Sequence, residues 1–478
     1  MKIRNVAGIL SVICLVISGA MLFPLVLALI DRSHDAWAFG FAFLAGGAVS
    51  LLLRWIYGFK PMTGISIGIR EGVGVTGFSW VIASAVGALP YVFAGVCGYT
   101  DAFFETMSGF TTTGATIMTD IEALPRGILL WRSLTHWMGG MGIIVLSLAV
   151  VPFLGVRGME MYKAEVPGIT ADKLTPRLHQ TAVYLWTVYV SLTLAETVLL
   201  MFGGLSLFEA FCHSCSTIAT GGFSTRNASA GAFGSYVQWV LIAFMFASGV
   251  NFSLYFMPRL ILRDEEFRAY VGIAVVSALA MAAGLWVCGM GTGLEGTLRR
   301  AAFNVVSVMT TTGFVIEDYN LWPEFTRFMF IVLMFVGASG GSTGGGCKVS
   351  RFLVLGKKLK AETQHLLHPR ALITARMNGV PVSRSTFDSA GAFFVLYMLM
   401  LVVGTVITAA FGIDVLTAFT GVITCLSNVG PGLNLLGPVE NFAWLPGAVK
   451  WLFSFLMLAG RLELFAVFLL FLPGTYRK

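Results

Sequence analysis

The sequence predicts an all-α polytopic membrane protein of about ten transmembrane helices, with four helix–short helix–helix repeats around one axis behind an extra N-terminal helical hairpin. Composition gives the class. The 478-residue chain is 57% hydrophobic and 12% charged, with a mean hydropathy of +0.83, which excludes a soluble globular protein of this length. A repeated ending gives the architecture. Four apolar segments too short to cross a bilayer close alike, at Met107–Gly114, Ser214–Gly221, Ser307–Gly313 and Thr424–Gly430. An Ala-Phe pair stands ten to twelve residues before each final Gly: Ala102-Phe103, Ala210-Phe211, Ala302-Phe303 and Ala418-Phe419.

A crossing takes roughly 20 apolar residues. Windows of that length fall near 5–30, 37–57, 72–96, 128–155, 180–203, 236–261, 269–291, 326–350, 388–411 and 446–472. Shorter apolar pieces near 101–113, 206–220, 296–312 and 414–429 are read as re-entrant pore helices. The apolar run after Lys2 and Arg4 is too long for a signal-peptide core and has no small-residue cleavage site, so it reads as a retained helix. Residues 1–68 thus form an N-terminal transmembrane hairpin. Pore repeats follow over 69–160, 177–265, 266–357 and 385–474. The polar stretch 351–387 is a linker or docking surface too small for a nucleotide-binding fold, which assigns any nucleotide to a separate subunit.

Charge placement orients the chain. Arg351, Lys357, Lys358, Lys360, Arg370, Arg376 and Arg384 crowd the connection between crossings eight and nine. Lys60, Arg70, Arg157, Lys163, Lys173 and Arg177 fall on the same side, which the positive-inside rule makes cytoplasmic, together with both termini. Lying between membrane helices, this basic run does not read as a nucleic-acid surface. Carboxylates such as Asp101, Glu105, Glu122, Glu209, Glu317 and Glu440 enrich the opposite face, either as an acidic vestibule that concentrates cations or as solvated loop charges. The seven cysteines are scattered, and Cys212-His213-Ser214-Cys215 has no second ligand pair, so neither a disulfide framework nor a metal site is expected.

The repeated endings carry the chemistry. Backbone oxygens of Thr112, Thr113 and Gly114 would coordinate a cation beside those of Ala219, Thr220 and Gly221. Thr311, Thr312 and Gly313 supply the third quarter, and Asn428, Val429 and Gly430 the fourth. Side chains differ while Gly persists, which points to backbone coordination in a selectivity filter. Each short helix would aim its C-terminus, with about −0.5 elementary charge, at the axis. Helix packing by Thr-Gly clusters is the plainer alternative. The fold is then four helix–pore helix–helix repeats around one pore.

A second feature is the run Gly337–Gly346, where glycines costing about 0.8–1.0 kcal/mol each should break the eighth crossing. Irregular backbone at membrane depth survives where it lines a cavity. Gly340, Gly341, Ser342, Thr343, Gly344, Gly345 and Gly346 are therefore read as a gate loop under the filter. Cys347 before Lys348 spoils the phosphate-loop pattern. Lys348 adds a positive barrier. Arg461, at membrane depth in the last crossing, is expected to donate to loop carbonyls, with pairing to a buried carboxylate such as Glu196 as the alternative; Glu463 falls on another helix face.

With these residues in view, the chain resembles the TrkH/KtrB family of potassium transporters. The resemblance rests on Thr111–Thr116, Ala219–Ser224, Thr310–Phe314, Ser427–Gly432, His136–Gly142, Gly341–Gly346 and Gly460–Glu463. It implies K+ uptake across the bacterial inner membrane, a homodimer of pores, and a cytoplasmic ring of TrkA-like RCK subunits that binds nucleotide. The N-terminal hairpin resembles the TrkH branch. No enzyme activity and no cofactor in this chain are implied. Flux coupled to H+ or Na+, or a less selective K+/Na+ channel, remain alternatives. A secondary transporter would show two inverted repeats rather than four parallel ones. An intramembrane enzyme would need a nucleophile and base at suitable spacing.

Overall fold

The computed structural model describes residues 3–58, 69–142, 178–371 and 374–472. Expected features at Lys60, Arg157, Lys163, Lys173 and Arg177, the far half of the fourth crossing and the chain termini lie outside the described residues. Among the described residues six helices are long and apolar enough to span a bilayer. Ile3–Ile30 and Asp35–Tyr57 form the N-terminal hairpin; Arg70–Phe93, Ala182–Phe202, Glu265–Val287 and Arg384–Ala410 follow. The hairpin closes tightly through small residues. A Cβ on Gly46 would lie 2.2 Å from Ser18 Oγ, and Ser50 donates to the Ser11 carbonyl at 2.6 Å.

Each of the other four long helices is followed by a short one: Tyr99–Phe110, Leu207–Ile218, Leu294–Met309 and Val415–Ser427. Two of these start on side-chain caps. Ser206 Oγ accepts from Glu209 N–H and its hydroxyl donates to the Glu209 carboxylate, and Asp414 accepts from Thr417 N–H.

An intermediate helix then leads away each time: Arg126–Gly140, Ser235–Ser248, Glu324–Val336 and Gly447–Arg461. The longest have 15 residues, about 22 Å, against a hydrocarbon core of about 30 Å. The expectation of continuous crossings over 236–261 and 446–472 is corrected, and the break anticipated in 326–350 is present. The second stops at Gly249, the third at Gly337, and the fourth bends by 119° before Phe465–Phe471. Near the ends of three of the four intermediate helices, glycines pack directly on a neighbouring backbone. A Cβ at Gly139 would sit 1.9 Å from the Phe110 carbonyl, one at Gly460 2.0 Å from that of Leu426, and one at Gly337 2.5 Å from that of Gly345.

Residues 351–387 are more ordered than a linker. Helix Val349–Leu367 runs out of the glycine loop, and Arg376–Met377 pairs with Val380–Pro381, the only strands among the described residues. Their turn is Asn378-Gly379 with φ of 51° and 78°, the pair a type I′ hairpin favours. Asn378 also accepts from Glu265 N–H at 2.9 Å and donates to Asp264 at 2.7 Å, which ties the hairpin to the start of Glu265–Val287.

One buried ion pair joins the first short helix to its outgoing partner. Arg132 Nε meets Glu105 Oε1 at 2.9 Å, with side chains 1% and 0% exposed. Glu105 also accepts from Thr116 and from Ile117 N–H, while Arg132 donates to the Ser224 carbonyl and lies 4.1 Å from the Phe223 ring. Removing one member of such a pair strands the other charge, at about 3–5 kcal/mol. Arg132→Met alone is expected to lower the thermal unfolding midpoint in detergent more than Arg132→Met combined with Glu105→Leu; the reverse order would show that the pair is not a structural brace.

Candidate functional site

The four short helices end in one geometry. Thr112, Thr220, Thr311 and Asn428 have φ of 52°, 55°, 60° and 57°. The next amide of each segment bonds back five residues: Thr113 to Ser108 O, Gly221 to Ser216 O, Thr312 to Ser307 O and Val429 to Thr424 O, at 2.8–2.9 Å. The left-handed residue itself bonds to Gly109, Thr217, Val308 and Cys425. This is a Schellman motif with Thr or Asn where Gly is usual. A β-branched residue there stores about 1–3 kcal/mol, strain that proteins keep at working sites.

Two residues beyond each left-handed position stands a glycine, again with positive φ: Gly114 (80°), Gly222 (81°), Gly313 (80°) and Gly430 (102°). The expected register of the second quarter is therefore corrected by one. Gly222, not Gly221, is the counterpart of the other three glycines. Gly221 matches Thr113, Thr312 and Val429, and Ala219 is the last right-handed residue, like Thr111 and Thr310. Two adjacent glycines hid the offset in the sequence.

These glycines close a ring. A Cβ on Gly114 would lie 2.1 Å from the Gly221 carbonyl oxygen, one on Gly222 2.1 Å from that of Thr312, one on Gly313 2.1 Å from that of Val429, and one on Gly430 2.6 Å from that of Thr113. Each quarter thus abuts the next in the order one, two, three, four, one. A cavity of about 140 Å³ opens on this ring and is lined by all four glycines.

Of the outer carboxylates, Glu440 lines that cavity, beside Arg132 and Arg226. Of the two readings of these carboxylates, an open acidic vestibule is the less well supported. Asp101 pairs with Lys450 at 2.6 Å, Glu209 with Arg226 at 2.6 Å and Glu317 with Arg300 at 2.6 Å, so much of the negative charge is neutralised by neighbours. Cys212 and Cys215 are buried free thiols, and both His213 nitrogens are engaged, with Glu209 O at 2.7 Å and Ser224 Oγ at 3.0 Å.

The glycine loop lies on the opposite side of the ring, against the helix ends. Thr343 Oγ1 donates to Ile218 O at 3.0 Å, and Gly345 N–H donates to Thr311 Oγ1 at 2.7 Å. A Cβ on Gly345 would be 2.2 Å from Ser427 O, and one on Gly344 3.0 Å from Thr310 O. The loop so touches three of the four quarters. Charged groups hold it in place. Arg461 Nη1 donates to Thr343 O at 2.7 Å while Nη2 reaches Gly139 O and Gly140 O at 2.9 and 3.1 Å. Glu266 accepts from the amides of Gly340 and Ser350 at 2.6 and 3.0 Å. The alternative partner, Glu196, is buried with neither carboxylate oxygen hydrogen-bonded.

Lys348 is not the unpaired barrier the sequence suggests. Its ammonium is buried 3.0 Å from Glu463, which also receives Arg351 at 2.5 Å. Sequence reasoning missed Glu463 because it assumed a straight helix. Instead Glu463 and Leu464 take φ of 56° and 62° at the 119° bend, which turns the carboxylate toward the loop.

Spanning helices, four strained termini joined in a ring and a polar loop beneath define a membrane transport protein rather than an enzyme. The model of the TrkH family, described as a cation transport protein, matches residues 39–268 and 294–475, and the chain belongs to that family. It is 37% identical to the Trk system potassium uptake protein TrkH of Salmonella typhimurium, over the full length of both chains. Its identity to the Trk system potassium uptake protein TrkI of Halomonas elongata is 34%, over 98% of this chain and 96% of that one. The crystal structure of the potassium transporter TrkH from Vibrio parahaemolyticus matches with a TM-score of 0.88 at 34% identity, covering both chains completely.

The close approaches at Gly139 and Gly460 make a direct test. Either glycine changed to Ala forces a methyl into a backbone carbonyl, and overpacking of this kind costs about 1–3 kcal/mol. Gly47→Ala, with nothing within 4 Å of its new Cβ, should be neutral or stabilising. Unfolding midpoints in detergent that fall equally for all three would remove the argument for close backbone contact.

Proposed function

We propose that this chain takes up K+ across the bacterial inner membrane along the axis ringed by Thr112–Gly114, Thr220–Gly222, Thr311–Gly313 and Asn428–Gly430. The observation that carries the reading is the closed ring of glycine-to-carbonyl contacts, in which four unlike side-chain sets present one backbone conformation. A backbone ring at the ends of four helices suits a dehydrated monovalent cation, because carbonyl dipoles replace water without a fixed charge that would hold the ion too tightly. Relatives named for potassium uptake support the choice of ion.

In this reading the chain comprises a hairpin (1–68) and four pore repeats (69–160, 177–265, 266–357 and 385–474), with both termini cytoplasmic. Two copies associate, each with its own pore. The glycine loop closes the pathway, and a cytoplasmic ring of TrkA-like RCK subunits, carrying the nucleotide, opens it. Helix Val349–Leu367 and the Asn378 hairpin are the docking surface, for they are basic, begin at the loop's last residue and expose Leu366 and Leu367.

Ion flux into liposomes tests the filter and the gate separately. Gly114→Ser and Gly313→Ser place a side chain where φ is 80° and a neighbour's carbonyl is 2.1 Å away, so K+ over Na+ discrimination is expected to fall in both. Unchanged flux ratios would sink backbone coordination at these sites.

Arg461→Ala removes the charged hydrogen bond to the loop at Thr343 O, contributing about 1.5–3 kcal/mol, together with the two that anchor Arg461 to Gly139 O and Gly140 O. Flux without the partner should rise by one or two decades, as a bias of about 1.4–2.8 kcal/mol implies, and nucleotide with the ring should add little more. Parental basal flux together with a full nucleotide response would exclude Arg461 as the latch.

A further inference from the structure

The second quarter differs from the others in one respect. Where Thr113, Thr312 and Val429 carry a side chain, Gly221 carries none, yet its φ is not in the left-handed range and a side chain there would be conformationally allowed. The space is filled from outside the segment. A Cβ built on Gly221 would lie 2.3 Å from His136 Nδ1, 2.4 Å from Cγ and 2.6 Å from Cε1.

His136 is fully buried on helix Arg126–Gly140 and stacks on Phe223, with centroids 4.0 Å apart and planes 19° apart. Ser216 Oγ lies 3.3 Å from Nδ1, and the Phe223 amide donates to Nδ1 at 3.5 Å. A backbone donor facing Nδ1 assigns the proton of the neutral ring to Nε2, which has no hydrogen-bond partner.

His136 stands three residues before Gly139. The other intermediate helices carry Met245, Met334 and Met457 three residues before Ser248, Gly337 and Gly460, all fully buried. Three quarters therefore use methionine in the register where one uses histidine, and the exception coincides with the missing filter side chain.

We propose that His136 is a specificity-determining positioning residue: its imidazole replaces the side chain absent at Gly221 and fixes the Gly221–Phe223 backbone at the spacing the ring needs to favour K+. This rests on the reading of the ring as a potassium filter. The same helix ends in Gly139 and Gly140, whose carbonyls hold Arg461, so the residue that sets the filter segment and the carbonyls that anchor the loop's latch lie about one turn apart on one helix.

The test is the ratio of K+ to Na+ flux in liposomes, a readout that loss of folded protein scales out. His136→Ala opens a void behind the strand and Gly221→Ala drives a methyl into the ring. Each alone should lower the ratio by about tenfold or more, the lower range for a misfit of one small group in a snug site. Combined, the methyl enters the void, and the ratio should recover toward the parent. His136→Met with Gly221→Thr recreates the Met245 and Thr312 combination and should also discriminate.

A His136→Ala ratio equal to the parent's, or a double variant no better than the worse single, overturns the assignment. Should His136→Ala not fold, the Met/Thr pair decides: discrimination retained upholds the proposal and discrimination lost overturns it. A parent that conducts without preferring K+ overturns the potassium reading itself, whereas a selective parent with an equally selective His136→Ala overturns only the role of His136.

Discussion

Everything at the centre of this protein follows from the contact between a glycine of one quarter and the backbone carbonyl of the next. Four such contacts, at about 2.1–2.6 Å for a hypothetical Cβ, leave no space for a side chain at Gly114, Gly222, Gly313 or Gly430. They also explain the strained Thr112, Thr220, Thr311 and Asn428. A segment that must leave a helix and reach its neighbour within two residues has to reverse its backbone hand at once, and the Schellman bonds hold that reversal in place. The strain is local, while the ring that compensates it spans the whole chain.

The lower half of the site obeys the same constraint. Three helix ends are covered by a loop whose glycines touch carbonyls directly, and the charges around it act on backbone rather than on one another. Arg461 bonds to carbonyl oxygens and Glu266 to amides. Buried charges bonded to backbone in this way require the loop in one position. The exception is Lys348, which shares Glu463 with Arg351 at the point where the loop becomes helix again.

Much of this was legible in the sequence because glycine and hydropathy are strong signals. The long spans, the short helices, three of the four endings, the broken glycine run and the bond from Arg461 to the loop follow from them, whereas the crossings expected over 236–261 and 446–472 are interrupted. What escaped notice was set by geometry between distant segments. Gly221 and Gly222 are adjacent, and only the ring contacts show which one abuts Thr312. Glu463 was assigned to the wrong face because nothing in Leu462–Leu464 announces a bend; two non-glycine residues with positive φ produce it. The acidic vestibule was inferred from residue counts, whereas Arg226, Arg300 and Lys450 come from other parts of the chain to meet those carboxylates. The Asn378-Gly379 turn, by contrast, is readable from its dipeptide.

Helix Val349–Leu367 begins one residue after Lys348 and continues for 19 residues, a rod of about 28 Å. Its two ends differ in freedom. The near end is held by buried charge, and the far end exposes Leu366 and Leu367 beyond the polar hairpin. Treated as a lever pivoting at Lys348, the rod converts a sideways displacement of about 5 Å at its tip into a rotation of about 10° at the loop. The rod is also held partway along, where Lys357 bonds to Glu265 and to the Arg376 carbonyl, so a displacement at its tip bears on helix Glu265–Val287 and on the Asn378 hairpin as well as on the Glu463 junction.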